Sequence, residues 1–77
     1  MSEHERSFGE VLHTLREKKD VTLRELARKI EVSAPFLSDV EKGRRAPLTA
    51  DRLEAVVLAL NLDKTEEREL YDAAGKQ

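Results

Sequence analysis

The reading of the chain turns on residues 23–47, LRELARKIEVSAPFLSDVEKGRRAP. Leu23, Leu26, Ala27 and Ile30 stand at i, i+3, i+4 and i+7, the spacing that gathers apolar side chains on one face of an α-helix. Ahead of them, Thr22 and Glu25 have the spacing of a capping box, with Val21 and Leu26 placed as its hydrophobic staple. Only Glu31 to Ser33 separate this helix from a second, and apolar Val32 in the middle is expected to be pinned into the core. Ser33 caps that second helix, and Pro35 suits its first turn because the N–H it lacks would have no helical partner there. Gly43 closes the helix, and Pro47 stops the chain from resuming one at once. Leu37 and Val40 must face inward. Ala34, Pro35, Ser38, Asp39 and Lys42 are left looking outward, with Phe36 at the edge.

Working outward, the same helical spacing recurs in Phe8, Val11, Leu12 and Leu15, and again in Leu53, Val56, Val57 and Leu60. A last segment carries Leu70, Ala73 and Ala74. Thr49 can cap the fourth helix, either Asp63 with Glu66 or Thr65 alone the fifth, and Gly75 ends the last. Nothing alternates with period two for long enough to make a strand. The expected class is therefore all-α, a compact five-helix single domain over residues 1–77, with 1–6 and 76–77 as frayed ends. Leu58 lies off the main stripe of the fourth helix. With Leu62, Leu70 and Tyr71 it is expected to pack the fourth and fifth helices together; the alternative is a self-association patch.

Composition excludes several classes of function. The 77 residues contain no cysteine, so neither a disulfide framework nor a thiolate metal site can form. No apolar run reaches 18 residues and no signal-peptide pattern opens the chain, which points to a soluble, cytoplasmic protein. His4 and His13 have no second histidine at i+4 and no evident carboxylate partner, so no metal site or catalytic role is expected of them. Ser33 and Ser38 lack a nearby base and are not credible nucleophiles. With no glycine-rich phosphate loop either, neither a cofactor nor enzymatic activity is expected. The formal net charge is −2, but it is unevenly spread: residues 1–20 sum to −1, 21–48 to +2 and 49–77 to −3. The only net-positive third holds the short joint between the second and third helices.

So tight a joint forces a steep crossing, the geometry that leaves one face of the third helix free to enter a DNA groove. Residues 23–47 resemble the phage-repressor and Cro-like helix-turn-helix family, of the xenobiotic-response-element type. The likeness includes Ala27 at the inter-helix contact, Val32-Ser33 at the turn and the Glu41-x-Gly43-x-x-x-Pro47 ending. With the preceding LREKKDVT and the following helices it covers about 65 residues. It implies a lambda-repressor-like fold and sequence-specific binding of double-stranded DNA by inserting helix 33–41 into the major groove. The implied activity is transcriptional regulation, with repression by occupying promoter DNA.

Carried over residue by residue, the resemblance implies base-edge reading by Ala34, Pro35, Ser38 and Asp39 at the start of the third helix. Ser33 caps that helix. Phe36 is read as half-buried at the DNA edge, its ring against a sugar or methyl group, with a place in the core as the alternative. Phosphate contact is implied for Lys42, Arg44 and Arg45, and for the first turn of the second helix near Thr22 and Leu23. Arg16 and Glu41 occupy positions that the family uses for an internal ion pair, so they are read as structural. Two departures stand out. Glu31 replaces the usual left-handed glycine, so either it bears a strain of about 1 kcal/mol or the turn takes another shape. Position 34 lacks a glutamine that would read adenine; Ala34 and Pro35 can offer a thymine methyl only apolar contact, and Asp39 can accept from cytosine N4. Asp39 has two further readings, a bond to a neighbouring backbone group or discouragement of nonspecific binding. Two-fold operators make a homodimer on DNA the expected assembly. The alternative function is an antitoxin-like or other protein-interaction module. Its partner surface would draw on Glu66, Glu67, Glu69 and Asp72, unless these acids serve only the dipole at the start of the fifth helix.

Overall fold

A computed structural model describes residues 7–75. His4 and the expected frayed ends, 1–6 and 76–77, lie outside the described residues. Five helices follow one another: α1 (Phe8–Lys18), α2 (Leu23–Lys29), α3 (Ala34–Glu41), α4 (Ala50–Leu60) and α5 (Lys64–Gly75). Among the described residues there is no strand.

Side chains close the helix starts. Ser7 with Glu10 and Thr22 with Glu25 form reciprocal capping boxes, while Ser33 and Thr49 cap α3 and α4. Of the two caps open for α5, Asp63 with Glu66 is the one formed: Asp63 Oδ1 accepts from the Glu66 N–H at 2.8 Å, and Glu66 Oε1 accepts from the Asp63 N–H at 3.0 Å. These bonds occupy donors that have no partner within a helix.

The helix ends share one solution. Asp20, Glu31, Gly43 and Asn61 take φ values of +59°, +63°, +80° and +53° at the ends of α1 to α4. In each case the next residue's N–H reaches back to a carbonyl five positions earlier: Val21 to Arg16, Val32 to Ala27, Arg44 to Asp39 and Leu62 to Val57, at 2.8–3.2 Å. This Schellman arrangement reverses the chain within two residues and satisfies carbonyls left over at the helix end. Glu31 thus adopts the left-handed conformation that glycine would take more cheaply, and the sharp α2–α3 elbow is kept.

The core is a single cluster whose fully buried centre is Leu12, Leu26, Leu37, Val40, Leu60, Val56 and Leu70. Every helix contributes to it. Val11, Leu23, Val32, Val57 and Ala74 sit half-buried at its margin. Leu48, just past Pro47, is buried although it belongs to no helical stripe. The expectation for Leu58 and Tyr71 is corrected: they are 75% and 37% exposed, whereas Leu70 is buried in the core and Leu62 packs against it. Leu58 stands two positions from both Val56 and Leu60, and residues so spaced do not share a helix face. No helix among the described residues is long and apolar enough to cross a membrane.

Candidate nucleic-acid interface

Burial of Leu37 and Val40, 0% and 1% exposed, fixes the rotation of α3. The opposite side then presents exposed Pro35 and half-buried Ala34, Ser38 and Asp39, with Lys42 exposed at its end. The Ser33 hydroxyl accepts from the Phe36 N–H at 3.1 Å, so this oxygen is engaged in the cap. The outward surface of the first turn is therefore largely apolar, and the next turn adds a hydroxyl and a carboxylate.

That carboxylate has company. Asp39 Oδ1 lies 3.5 Å from Arg44 Nη1, and its Oδ2 lies 3.9 Å from Arg45 Nε. The Arg45 guanidinium carbon stands over the Phe36 ring, 5.0 Å from its centroid, within the range of a cation–π contact. Phe36 is half-buried against the core, so its ring forms the floor under Arg45. Among the described residues Arg24, Arg28, Lys29 and Lys42 carry no ion pair, and all four are exposed. Positive charge thus surrounds an outward helix face from both the helix before it and the loop after it.

At the start of α2 the Thr22 N–H donates to Glu25 Oε1 at 3.0 Å and the Glu25 N–H donates to Thr22 Oγ1 at 3.1 Å. The Thr22 N–H foremost, and then the Thr22 hydroxyl, which donates to the same Glu25 oxygen at 3.2 Å, hold the Glu25 carboxyl below its ordinary range. A phosphate approaching here meets Leu23 and Arg24 N–H groups rather than those of Thr22 and Glu25. Leu23 turns its side chain against the core.

The back of α3 is clamped to α1. Arg16 Nε donates to Glu41 Oε2 at 2.8 Å and Nη2 to Oε1 at 3.1 Å, a two-point contact with side chains only 11% and 7% exposed. A third donor, Nη1, reaches the Val21 carbonyl at 2.9 Å and so ties the α1–α2 loop to the same point. The bond from Glu41 is the main cause holding the Arg16 guanidinium above its ordinary value, against the effect of burial. The reading of His13 as lacking a carboxylate partner is corrected: its Nδ1 lies 3.0 Å from Glu41 Oε1 and its Nε2 lies 3.3 Å from Glu17 Oε2. Glu17 stands four residues along the same helix, whereas Glu41 arrives only through the fold.

This arrangement has close counterparts. A family model described as a helix-turn-helix domain matches residues 7–70. The chain belongs to the helix-turn-helix family. It is similar, at 41% identity over 54 residues, to two uncharacterized HTH-type transcriptional regulators of Mycobacterium tuberculosis, from strains CDC 1551/Oshkosh and ATCC 25618/H37Rv. The match takes in 70% of this chain and 38% of each relative, so the chain spans about two fifths of the length of these curated relatives. Among solved structures it resembles the clp gene regulator ClgR from C. glutamicum, with a TM-score of 0.70 and 37% identity over 91% of this chain and 87% of that one.

Within the helix-turn-helix domain, Gly9, which the sequence reading passed over, and Glu66, for which it gave the cap but not the lysine partners, hold the elements in place. Gly9 is buried where α1 meets the end of α3; a Cβ there would run into the carbonyl oxygens of Val40 and Glu41. Its only sequence signal is a glycine placed inside a helical stripe, where alanine would be the better helix former. Glu66, counted with the outward acids of the last third, is 4% exposed and faces inward. Its Oε2 lies 2.7 Å from Lys18 Nζ and its Oε1 3.1 Å from Lys19 Nζ, which removes it from any acidic partner surface.

Proposed function

We propose that this helix-turn-helix domain binds double-stranded DNA as the recognition part of a transcription regulator, acting in the cytoplasm as a repressor by occupying promoter DNA. The observation that carries this reading is the outward side of α3, bordered by exposed Lys42, Arg44 and Arg45 and set at a fixed angle by the left-handed Glu31 elbow. In the proposed complex Ala34, Pro35 and Ser38 face base edges in the major groove. Ser33 and Phe36 border them, the cations of the following loop meet phosphates, and the Leu23 and Arg24 N–H groups meet the backbone beside Thr22. The relatives named as transcriptional regulators, and the structural likeness to a gene regulator, support the same reading.

A single module of this size covers one half-site, so the proposed assembly is a pair of copies on a two-fold operator. Leu58, apolar and outward on α4, is a contact point available to the pair. The antitoxin-like alternative has lost one of its acids, since Glu66 is engaged internally. Selection from random duplexes at low salt, followed by a salt titration on the winning sequence, tests the proposal. An enriched site is expected, with affinity falling steeply as counterions are released, and Arg44→Ala and Arg45→Ala should each reduce the salt slope by about 1. Failure to enrich any sequence would count decisively against it.

A further inference from the structure

We infer that Asp39 is a specificity-determining residue: its carboxylate stands in for a phosphate on Arg44 and Arg45 in the free protein, and the cost of displacing it is recovered only on a duplex whose base edges give it another partner. The inference rests on the DNA-binding reading above and joins two roles open to Asp39, a base contact and discouragement of nonspecific binding, through its pairing with the two arginines.

The geometry supplies the reasons. The two oxygens of Asp39 are divided between two arginines, Oδ1 toward Arg44 and Oδ2 toward Arg45. A backbone phosphate would offer the same pair of guanidinium groups the same kind of oxygen pair. The loop is held over the carboxylate by the Arg44 N–H, which donates to the Asp39 carbonyl at 2.8 Å. Phe36 supports Arg45 from beneath. Yet the contacts are long and their side chains open, 35% exposed for Asp39, 67% for Arg44 and 54% for Arg45, so another anion can replace the carboxylate.

A duplex of arbitrary sequence brings only phosphates. It must separate the carboxylate from both arginines and then tolerate it, unpaired, beside the sugar–phosphate chain. A duplex with an amino group on the right base edge accepts the same displacement but gives Asp39 a donor, as cytosine N4 can. The first duplex bears the cost of displacement, and the second recovers it. Exposed ion pairs of this kind change an equilibrium by a factor of about 1.4 to 5 apiece. Two of them, with the like-charge contact added, give about tenfold discrimination.

The test compares wild type with Asp39→Asn, and with Asp39→Ser as a second variant, on a random-sequence duplex and on the duplex enriched by selection, at low and high salt. Far-UV circular dichroism and thermal melting accompany each variant. We expect affinity for the random duplex to rise about tenfold at low salt and less at high salt, while affinity for the selected duplex stays level or falls. In an Arg44→Ala/Arg45→Ala background the gain should shrink markedly, because the carboxylate then has nothing to hold and only its repulsion from the phosphates is relieved. An unchanged random-duplex affinity in both variants overturns the inference. So does a gain that survives undiminished without the arginines, which would make Asp39 a plain repulsive charge. Wild type that binds neither duplex at the lowest salt refutes the DNA-binding reading itself, a different result from binding that ignores Asp39.

Discussion

At the residue scale the elbow between α2 and α3 rests on Glu31, held at φ +63° with its side chain exposed. A left-handed conformation costs a non-glycine residue about 1–2 kcal/mol, and here no contact of the glutamate side chain offsets it. Glu31→Gly should therefore stabilise the domain by about 0.5–1 kcal/mol, the lower end reflecting the greater freedom glycine gains in the unfolded chain. For a domain of this size that raises the Tm by roughly 2–8 °C, readable by thermal melting followed by circular dichroism. A lower Tm would mean that the turn is not strained as its dihedral implies. Asp20 and Asn61 take the same conformation with less penalty, because short polar side chains tolerate it better. Of these four reversals Gly43 is the one that residue type announces most strongly, Asp20 and Asn61 are compatible with it, and Glu31 gives no sign of it; there the fold imposes the conformation, with the Val32 N–H bonded back to Ala27.

At the scale of elements, the position of α3 depends on how closely α1 approaches its end. Two features make that approach, and they can be tested separately. Gly9 leaves room for the Val40 and Glu41 carbonyls, and because those are backbone atoms they cannot turn aside from a methyl group. Gly9→Ala should cost about 1–3 kcal/mol through overpacking, reversing the gain in helix propensity that the same change brings at an open helix position. Denaturant unfolding that shows a more stable variant would refute the close approach of α1 to the end of α3. The second feature is the two-point Arg16–Glu41 contact. Glu41→Ala leaves a buried guanidinium with the Val21 carbonyl and the His13 ring nitrogen as its remaining partners, neither of them a charge, and should destabilise by about 3 kcal/mol, whereas replacing both residues by apolar ones of similar volume should be nearly neutral. An unchanged melting temperature in Glu41→Ala would refute this account of the clamp. The helical stripes and the caps at Thr22, Ser33 and Thr49 are legible in the sequence because they depend on neighbours three and four residues away. Gly9, buried Leu48 and the Glu41 contact of His13 are not, because each is made by segments distant along the chain. The exposed setting of Leu58 is legible in spacing alone, since it stands off the face shared by Val56 and Leu60.

For the whole molecule the question is how α5, the last element, is held to the first. Its start is fixed from two directions by one side chain: Glu66 closes the cap with Asp63 and receives Lys18 and Lys19 from the end of α1. The Lys18 bond, then the Asp63 backbone bond, then Lys19 pull the Glu66 carboxyl from its ordinary 4.5 down to about 2. A group whose folded value is depressed binds its proton more readily in the unfolded chain, so it stabilises the fold at pH values above 4.5 and loses that contribution as the pH falls through about 2. The wild type should accordingly lose stability across this window as the proton returns to Glu66. Glu66→Gln keeps the shape but has no charge to lose. It should melt below wild type at pH 7, and the gap should narrow from pH 4.5 downward and close near pH 2, a comparison that thermal melts of the two proteins across the series can make. The remaining acids are common to both chains and cancel in the difference. A gap that stays constant over the whole range would show that the charge on Glu66 is not what separates the two proteins, and that the lysines of α1 contribute nothing to holding α5.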